Sequence, residues 1–194
     1  MSAVRKIRAD GFTLIELMIT IAIFAITLTF GVSSYRSWVL NNQIRNAAES
    51  ISNGIMLARA EAVKCNANVA FTIGTGSSWT VTHADACGNQ PAGSVLQARS
   101  SSEGSKNVTV STAPVAVSPT PPTNTITFNN LGIVVPNADT SATPTNFTLG
   151  ISPSAVGTGV TLRPLWVQIG VGGSSRVCDP SIAAKTPPDP RMCY

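Results

Sequence analysis

Glu16 is the only ionisable residue in the apolar run FTLIELMITIAIFAITLTFGV, which covers residues 12–32. A carboxylate at that depth of a membrane helix costs on the order of 2.5–3.5 kcal/mol on insertion scales, so it indicates a function and a positively charged partner. The alternative is a side chain that snorkels toward water or is protonated in lipid. The glutamate alone supports the two interpretations equally.

Four cysteines are the next residues with chemistry of their own. Cys65, Cys87, Cys178 and Cys193 permit three pairings, of which the local one, Cys65–Cys87 with Cys178–Cys193, closes two modest loops. The chain has no CxxC motif and a single histidine, His83. We therefore expect disulfides formed in an oxidising compartment, and neither a metal site nor a cofactor.

A catalytic constellation has little support in the sequence. His83, Asp85 and a nearby serine are the one candidate set of base and nucleophile. The other carboxylates are scattered, with no pair spaced for acid–base catalysis. We predict that the protein is not an enzyme and that THADACGN, residues 82–89, is a loop beside a disulfide.

The apolar run needs an element long enough to span a membrane. Its 21 residues would form a helix of about 31 Å, which matches the hydrocarbon core of a bilayer. Arg5, Lys6 and Arg8 precede it, so the N-terminus is expected in the cytoplasm and the rest of the chain outside. A cleaved secretory signal is the alternative, but it would have a shorter apolar core.

The helical pattern continues beyond the run. Apolar residues recur at steps of three and four, which predicts one long helix from about Phe12 to Lys64 with one face for a globular domain. Arg59 and Glu61 are expected on its solvated face, and Tyr35 and Trp38 suit a membrane interface. The apolar stripe consists of Leu40, Ile44, Ala47, Ala48, Ile51, Ile55, Ala58 and Ala62.

Short alternating runs replace the helical pattern after Asn66, as in β-strands. The predicted fold class is therefore α+β: a long N-terminal helix, transmembrane in its first half, packed on an antiparallel β-rich domain of two small sheets. Trp79 and Trp166 are expected in the core. Only 11% of residues are charged, which fits an extracytoplasmic domain. The predicted strands are NVAFTI, SWTVT, SVLQA, NVTVS, TITFN, GIVVP, NFTLGI and LWVQIGV, with a tight turn at NNLG and proline-rich loops at 113–124 and 136–146.

Three segments carry a resemblance to a known family. GFTLIELMITIAIF, after a short basic leader, resembles the N-terminal signature of type IV pilins and type II secretion pseudopilins: a glycine, a phenylalanine and a glutamate four residues later. LARAEAVKCN, residues 57–66, and GGSSRVCDP, residues 172–180, resemble segments of the FimT/FimU/GspH group of minor pilins and pseudopilins. The likeness is strong at both ends of the chain and weak in the middle.

The resemblance implies a maturation and assembly chemistry at the N-terminus. A prepilin peptidase would cut between Gly11 and Phe12, and the new amine of Phe12 would be N-methylated. Glu16 would pair with the Phe12 amine of a neighbouring subunit in the filament core and set the axial register. An ion pair of good geometry recovers much of the cost of burying the carboxylate. The implied partners are other minor and major pilins, the peptidase and the inner membrane.

Some FimT-like pilins bind DNA through an arginine pair near the C-terminus, and this chain departs from that pattern. Ser174 stands where the first arginine would be, and Arg176 takes the second place. Loss of one arginine removes one phosphate contact. Arg163, Lys185 and Arg191 could compensate, but acidic residues interleave with them. DNA is a candidate partner that the sequence does not favour.

Together these features predict a minor pilin of a type IV pilus. It is expected to be anchored in the bacterial inner membrane by one span, with its C-terminal domain in the periplasm. It is expected to be assembled at or near the pilus tip, where it helps to initiate the pilus. The alternatives are a type II secretion pseudopilin of the H class and a DNA-binding minor pilin for natural transformation. The expected organisation is a leader peptide over 1–11, a transmembrane and filament-core helix over 12–34, its amphipathic continuation over 35–66 and a β-rich globular domain over 67–194.

Overall fold

The computed structural model describes residues 11–112, 124–138, 143–182 and 189–193, except for the side chains at 29–31 and 33. One helix, α1 (Leu14–Cys65), takes up 52 residues, about 78 Å at 1.5 Å per residue. The predicted long helix is thus confirmed to within two residues at either end. α1 ends at Asn66, whose left-handed backbone (φ 53°) lets its N–H bond the carbonyls of Ala62 and Val63.

The predicted apolar stripe of α1 forms the centre of the core. All eight of its residues are buried, and none is more than 6% exposed. They lie in the second half of the helix, against which both sheets pack. Burial of this stripe is what holds the globular domain on the helix, at about 25 cal/mol for each Å² of apolar surface removed from water.

The strands are β1 (Val69–Ile73), β2 (Trp79–His83), β3 (Val95–Arg99), β4 (Val108–Thr112), β5 (Thr125–Phe128), β6 (Val134–Val135), β7 (Asn146–Ile151), β8 (Leu165–Ile169) and β9 (Ser175–Cys178). Among the described residues they form a five-stranded sheet in the order β3-β2-β1-β5-β6 and a four-stranded sheet in the order β4-β7-β8-β9. Neighbouring strands in both sheets are antiparallel. The prediction of two small antiparallel sheets is confirmed.

An aromatic contact joins the two sheets. The ring of Phe71 in β1 lies 5.7 Å from that of Trp79 in β2 and 6.3 Å from that of Phe147 in β7, measured between centroids. Gly54 on α1 allows this approach, because a Cβ there would lie 2.7 Å from the Phe71 ring. Trp79 is buried as predicted, and its indole N–H donates to Ser50 Oγ at 2.8 Å.

Two hairpin turns, one from each sheet, meet beside α1. Arg59 Nε donates to the carbonyl of Gly132 in the NNLG turn at 3.1 Å. The N–H of Val134 donates to the carbonyl of Val171 in the β8–β9 turn at 3.2 Å. Gly173 lies so close that a Cβ there would be 2.2 Å from the Gly132 oxygen. Arg59 therefore fixes the turns as well as facing solvent, which corrects the expectation of a purely solvated side chain.

The eight predicted strands are confirmed to within two residues at either end, but β9 and a short 3-10 helix (Pro153–Ala155) were not predicted. β9 has no buried–exposed alternation, because three of its four residues are partly buried. Most of the first proline-rich loop (113–123) and part of the second (139–142) lie outside the described residues.

Among the residues whose side chains the structure describes, no helical stretch is both long and apolar enough to cross a membrane.

Candidate functional site

The predicted processing residues lie at the start of the described chain. Gly11 and Phe12 precede α1 in non-helical backbone, and both are exposed, Phe12 by 83%. A Cβ at Gly11 would meet no described atom within 4 Å. Within the described residues, both partners of this peptide bond are exposed and lie outside the helix, which suits a peptidase substrate. The cleavage itself stays a prediction.

Glu16 lies in the first turn of α1. Thr13 is the N-cap residue, and its Oγ1 accepts from the backbone N–H of Glu16 at 3.3 Å. Thr-x-x-Glu is the sequence pattern of a capping box, and this hydrogen bond is one half of it. The exposed carboxylate also lies near the positive end of the helix dipole. Glu16 therefore has a role in its own helix, beside the predicted ion pair with another subunit, which stays a prediction.

We call residues Phe12–Leu28 the apolar stem. Its large side chains are 52–83% exposed and cover the helix on all sides. Its threonines bond internally: Thr20 Oγ1 donates to the carbonyl of Leu17 and Thr27 Oγ1 to that of Phe24, each at 2.9 Å. Soluble monomers rarely expose so large an apolar surface. An exposed apolar surface of this size is typical of a region that contacts another protein or a membrane.

Both local disulfides are present in the structure, and no cysteine is unpaired. Cys65–Cys87 ties the end of α1 to the loop after β2. Cys178–Cys193 ties the end of β9 to the C-terminal tail. Each therefore holds an irregular segment against regular structure.

The tail lies along β9 and engages Arg176. One guanidinium nitrogen of Arg176, Nη2, donates to the carbonyls of Pro190 at 2.5 Å and Met192 at 2.9 Å. The N–H of Asp179 donates to the carbonyl of Arg191 at 2.8 Å. Arg176 is thus a clamp for the disulfide-closed tail, a role that the sequence motif did not reveal.

Three of the four residues predicted for DNA contact lie in the described part of the chain, and they line two different clefts. Arg176 lines a cleft of about 470 Å³ together with Trp166. Trp166 was expected in the core, but it is only partly buried. Arg163 and Arg191 line a different cleft, of about 280 Å³, with Asp179. Lys185 lies outside the described residues.

Arg191 is held by a neighbouring carboxylate. Its Nε and Nη2 donate to the two oxygens of Asp189 at 3.1 and 2.9 Å. The hydrogen bonds to Asp189 raise the pKa of Arg191, with a smaller contribution from the charge of Asp179. This pairing reduces the positive charge available to a phosphate.

Glu61 forms a buried polar cluster that was not predicted. It is 8% exposed, so the expectation of a solvated side chain is wrong. Its carboxylate lies 3.1 Å from Lys64 Nζ and 3.6 Å from His83 Nε2, beside the Cys65–Cys87 disulfide. The signal was present in the spacing: Glu61 comes three residues after the stripe residue Ala58, and residues three apart share a helix face.

Of the candidate catalytic set, the structure brings His83 and a serine together but leaves Asp85 apart from them. Asp85 accepts from the backbone N–H of Asn68 at 3.2 Å, whereas Ser94 Oγ lies 3.0 Å from His83 Nδ1. His83 is only 2% exposed, so a substrate could not reach its imidazole without displacing the strand around it. The histidine is part of the junction between α1 and β2 rather than of an open site.

Comparisons with known proteins point to one family. A family model described as type II transport protein GspH matches residues 47–167, and one for the prokaryotic N-terminal methylation motif matches residues 7–32. No curated protein matches the sequence significantly. The GspH match covers more than half of the chain.

Solved structures of two proteins are similar to this chain. The type IV minor pilin FimU of Pseudomonas aeruginosa is similar over 77% of this chain and 99% of its own, at 18% identity and a TM-score of 0.42. The minor pseudopilin EpsH from the Type 2 Secretion System of Vibrio cholerae is similar over 72% of this chain and 99% of its own, at 15% identity and a TM-score of 0.41. The family assignment rests on the family model and not on these likenesses.

Proposed function

Because this chain belongs to the family of the type II transport protein GspH, whose members are minor pilins and pseudopilins, we propose that it is a minor pilin of a type IV pilus. It enters the filament through the apolar stem and takes part in initiating assembly at or near the tip. The observation that carries this proposal is the exposed apolar stem on the same helix that forms the core of a folded head.

The proposal assigns a task to each part of the chain. Residues 1–11 are the leader, removed between Gly11 and Phe12, and the new amine of Phe12 is methylated. Residues 12–34 lie first in the inner membrane and then in the filament core, residues 35–66 carry the head, and residues 67–194 fold in the periplasm. The methylation-motif match over residues 7–32 supports this maturation.

Tyr35 and Trp38 support the membrane placement. Their exposed rings lie 6.0 Å apart on the helix just beyond the proposed span, where aromatic side chains suit the water interface. The apolar sequence of residues 12–32 and the basic residues before it supply the orientation.

A type II secretion pseudopilin of the H class is the second candidate, favoured by the description of the matching family itself. The type IV pilus and the type II secretion system use the same kind of N-terminal helix. The disulfide-closed tail is our reason for proposing the pilus first. Deleting the gene in its host separates them. We expect fewer surface pili with type II secreted proteins unchanged. The reverse result assigns the chain to the secretion machine, and no change in either contradicts both.

A further inference from the structure

The end of α1, the end of β2 and the loop after it bring four potential metal ligands together. Within the described residues, Glu61, Cys65, His83 and Cys87 each offer one ligand atom, and these four atoms lie within 4.8 Å of one another. In the oxidised chain the two sulfurs bond each other. We propose that, once this disulfide is reduced, the cluster binds one Zn²⁺ ion.

Three of the distances in the cluster are close to those of a tetrahedral site. Zinc bonds to sulfur, nitrogen and oxygen of usual length place neighbouring ligand atoms about 3.3–3.8 Å apart. Cys65 Sγ lies 3.4 Å from Glu61 Oε1 and 3.9 Å from His83 Nε2, and His83 Nε2 lies 3.6 Å from Glu61 Oε1. Glu61, Cys65 and His83 thus already lie close to the spacing of three tetrahedral ligands. On reduction the sulfur of Cys87 has to move away from that of Cys65.

The surroundings orient the imidazole for this role. Ser94 Oγ lies 3.0 Å from His83 Nδ1, which leaves Nε2 directed at the cluster. A hydrogen bond to the second ring nitrogen is the usual way in which proteins fix a metal-binding histidine. Ser94 lies at the start of the segment that leads into β3, so the five-stranded sheet itself holds the ring.

The burial of the Glu61 carboxylate favours binding of a positive charge in this cluster. His83 and Glu61 are 2% and 8% exposed, and a buried carboxylate is costly unless it is paired. Lys64 Nζ lies 3.1 Å from the Glu61 carboxylate, but its side chain is 74% exposed. Because the ammonium group of Lys64 is in solvent, a bound Zn²⁺ can replace it as the partner of the Glu61 carboxylate.

The donor set selects the metal, and the chemistry balances. Two thiolates, an imidazole and a carboxylate suit zinc rather than calcium or magnesium. A phosphine reductant gives two electrons to the disulfide and takes an oxygen atom from water as the phosphine oxide, which leaves two thiols. Zn²⁺ then displaces the two thiol protons. The end of α1 and the loop after β2 can thus be joined either by the disulfide or by a zinc ion.

The test uses the full-length chain in detergent micelles. The protein is reduced with a water-soluble phosphine without oxygen, mixed with zinc chloride and desalted, and its zinc is measured by plasma mass spectrometry. We expect one zinc ion per reduced chain and none per oxidised chain. Alkylation followed by peptide mass spectrometry should show Cys65 and Cys87 protected by zinc, and Cys178 and Cys193 modified.

Variants locate the metal. The Cys178→Ser/Cys193→Ser double variant should keep its zinc, whereas Cys65→Ser/Cys87→Ser should lose it. Since the second pair of changes can prevent folding, Glu61→Gln is compared with Asp85→Asn, an exposed neighbour, after oxidised samples of both show the circular dichroism of the parent.

We expect zinc affinity to fall at least about tenfold in Glu61→Gln, as even loss of an outer-shell partner costs 10–100-fold, and to stay unchanged in Asp85→Asn. Equal zinc in reduced and oxidised chains overturns the proposal. So does zinc held by Cys178 and Cys193, or an equal affinity in Glu61→Gln and Asp85→Asn.

Discussion

Thr13 Oγ1 accepts a hydrogen bond from the backbone N–H of Glu16 at 3.3 Å, in the first turn of α1. Glu16 therefore combines two properties: its place in a capping pattern and its negative charge. A glutamine at this position suits the capping pattern as well as a glutamate does, but it carries no charge. Comparing Glu16→Gln with Glu16→Ala consequently shows whether assembly depends on the charge or on the capping pattern.

We expect Glu16→Gln to impair incorporation into filaments as strongly as Glu16→Ala, with membrane insertion intact, because the charge and not the cap pairs with the neighbouring amine. The measurement is the amount of the chain in sheared filaments and in membranes, by quantitative immunoblot. Thr13→Ala is the matched control: it removes the cap, at a cost of about 1 kcal/mol, and should assemble normally. Normal assembly of Glu16→Gln would falsify the ion-pair role.

Gly173 and Gly172 are neighbours with opposite surroundings. Gly173 has φ +77° and faces the carbonyl of Gly132, whereas a Cβ at Gly172 would meet no described atom within 4 Å. We expect Gly173→Ala to lower the free energy of unfolding by at least about 1–3 kcal/mol and Gly172→Ala to change it by less than about 0.5 kcal/mol. Urea unfolding followed by tryptophan fluorescence measures both. Matching midpoints for the two variants would show that the turns do not meet as described.

Arg176→Ala should loosen the tail, because it removes the hydrogen bonds to the carbonyls of Pro190 and Met192. We expect the Cys178–Cys193 disulfide to be reduced faster by a dithiol, and stability to fall on the order of 1 kcal/mol. The exposed Arg163 is the control, and Arg163→Ala should leave the reduction rate unchanged. A reduction rate in Arg176→Ala equal to that of the parent would contradict the clamp.

DNA retention tests the nucleic-acid alternative with the same two variants. If Arg176 contacted a phosphate, its loss would reduce the slope of log affinity against log salt by about 0.7–0.9. We expect no change, because the tail carbonyls already engage its guanidinium. Filter retention of the full-length chain in detergent at several salt concentrations measures the slope. A reduced slope in Arg176→Ala alone would restore DNA capture as a function.

Trp79 and Trp38 differ in burial, and so should their phenylalanine variants. Trp79 is 4% exposed and donates to Ser50 Oγ, whereas Trp38 is 61% exposed on the helix surface. We expect Trp79→Phe to destabilise the head by about 1–3 kcal/mol, since it leaves a buried partner without its donor. Trp38→Phe should leave the unfolding midpoint unchanged. Circular dichroism during urea unfolding measures both, and equal effects would place Trp79 outside the core.

Glu61 and Arg176 show where sequence patterns mislead. Charged residues are usually exposed, so Glu61 was expected in solvent although its spacing from Ala58 put it beside the apolar stripe. Arg176 has partners 14 and 16 residues further along the chain, and no local pattern indicates such contacts. β9 escaped prediction for a related reason, since its pairing with β8 depends on a partner strand and not on alternation of its own.

The sequence by itself determined the long helix, its buried stripe, the apolar stem with its single carboxylate, and eight of the nine described strands. These features depend on residues two, three or four positions apart, whose spacing alone sets the face they occupy. Only the tertiary structure decided which charges are buried, that Arg176 holds the tail, and that Glu61 and His83 meet at a disulfide. Those outcomes depend on segments far apart in the chain sharing one place, which happens only when the helix and both sheets pack together.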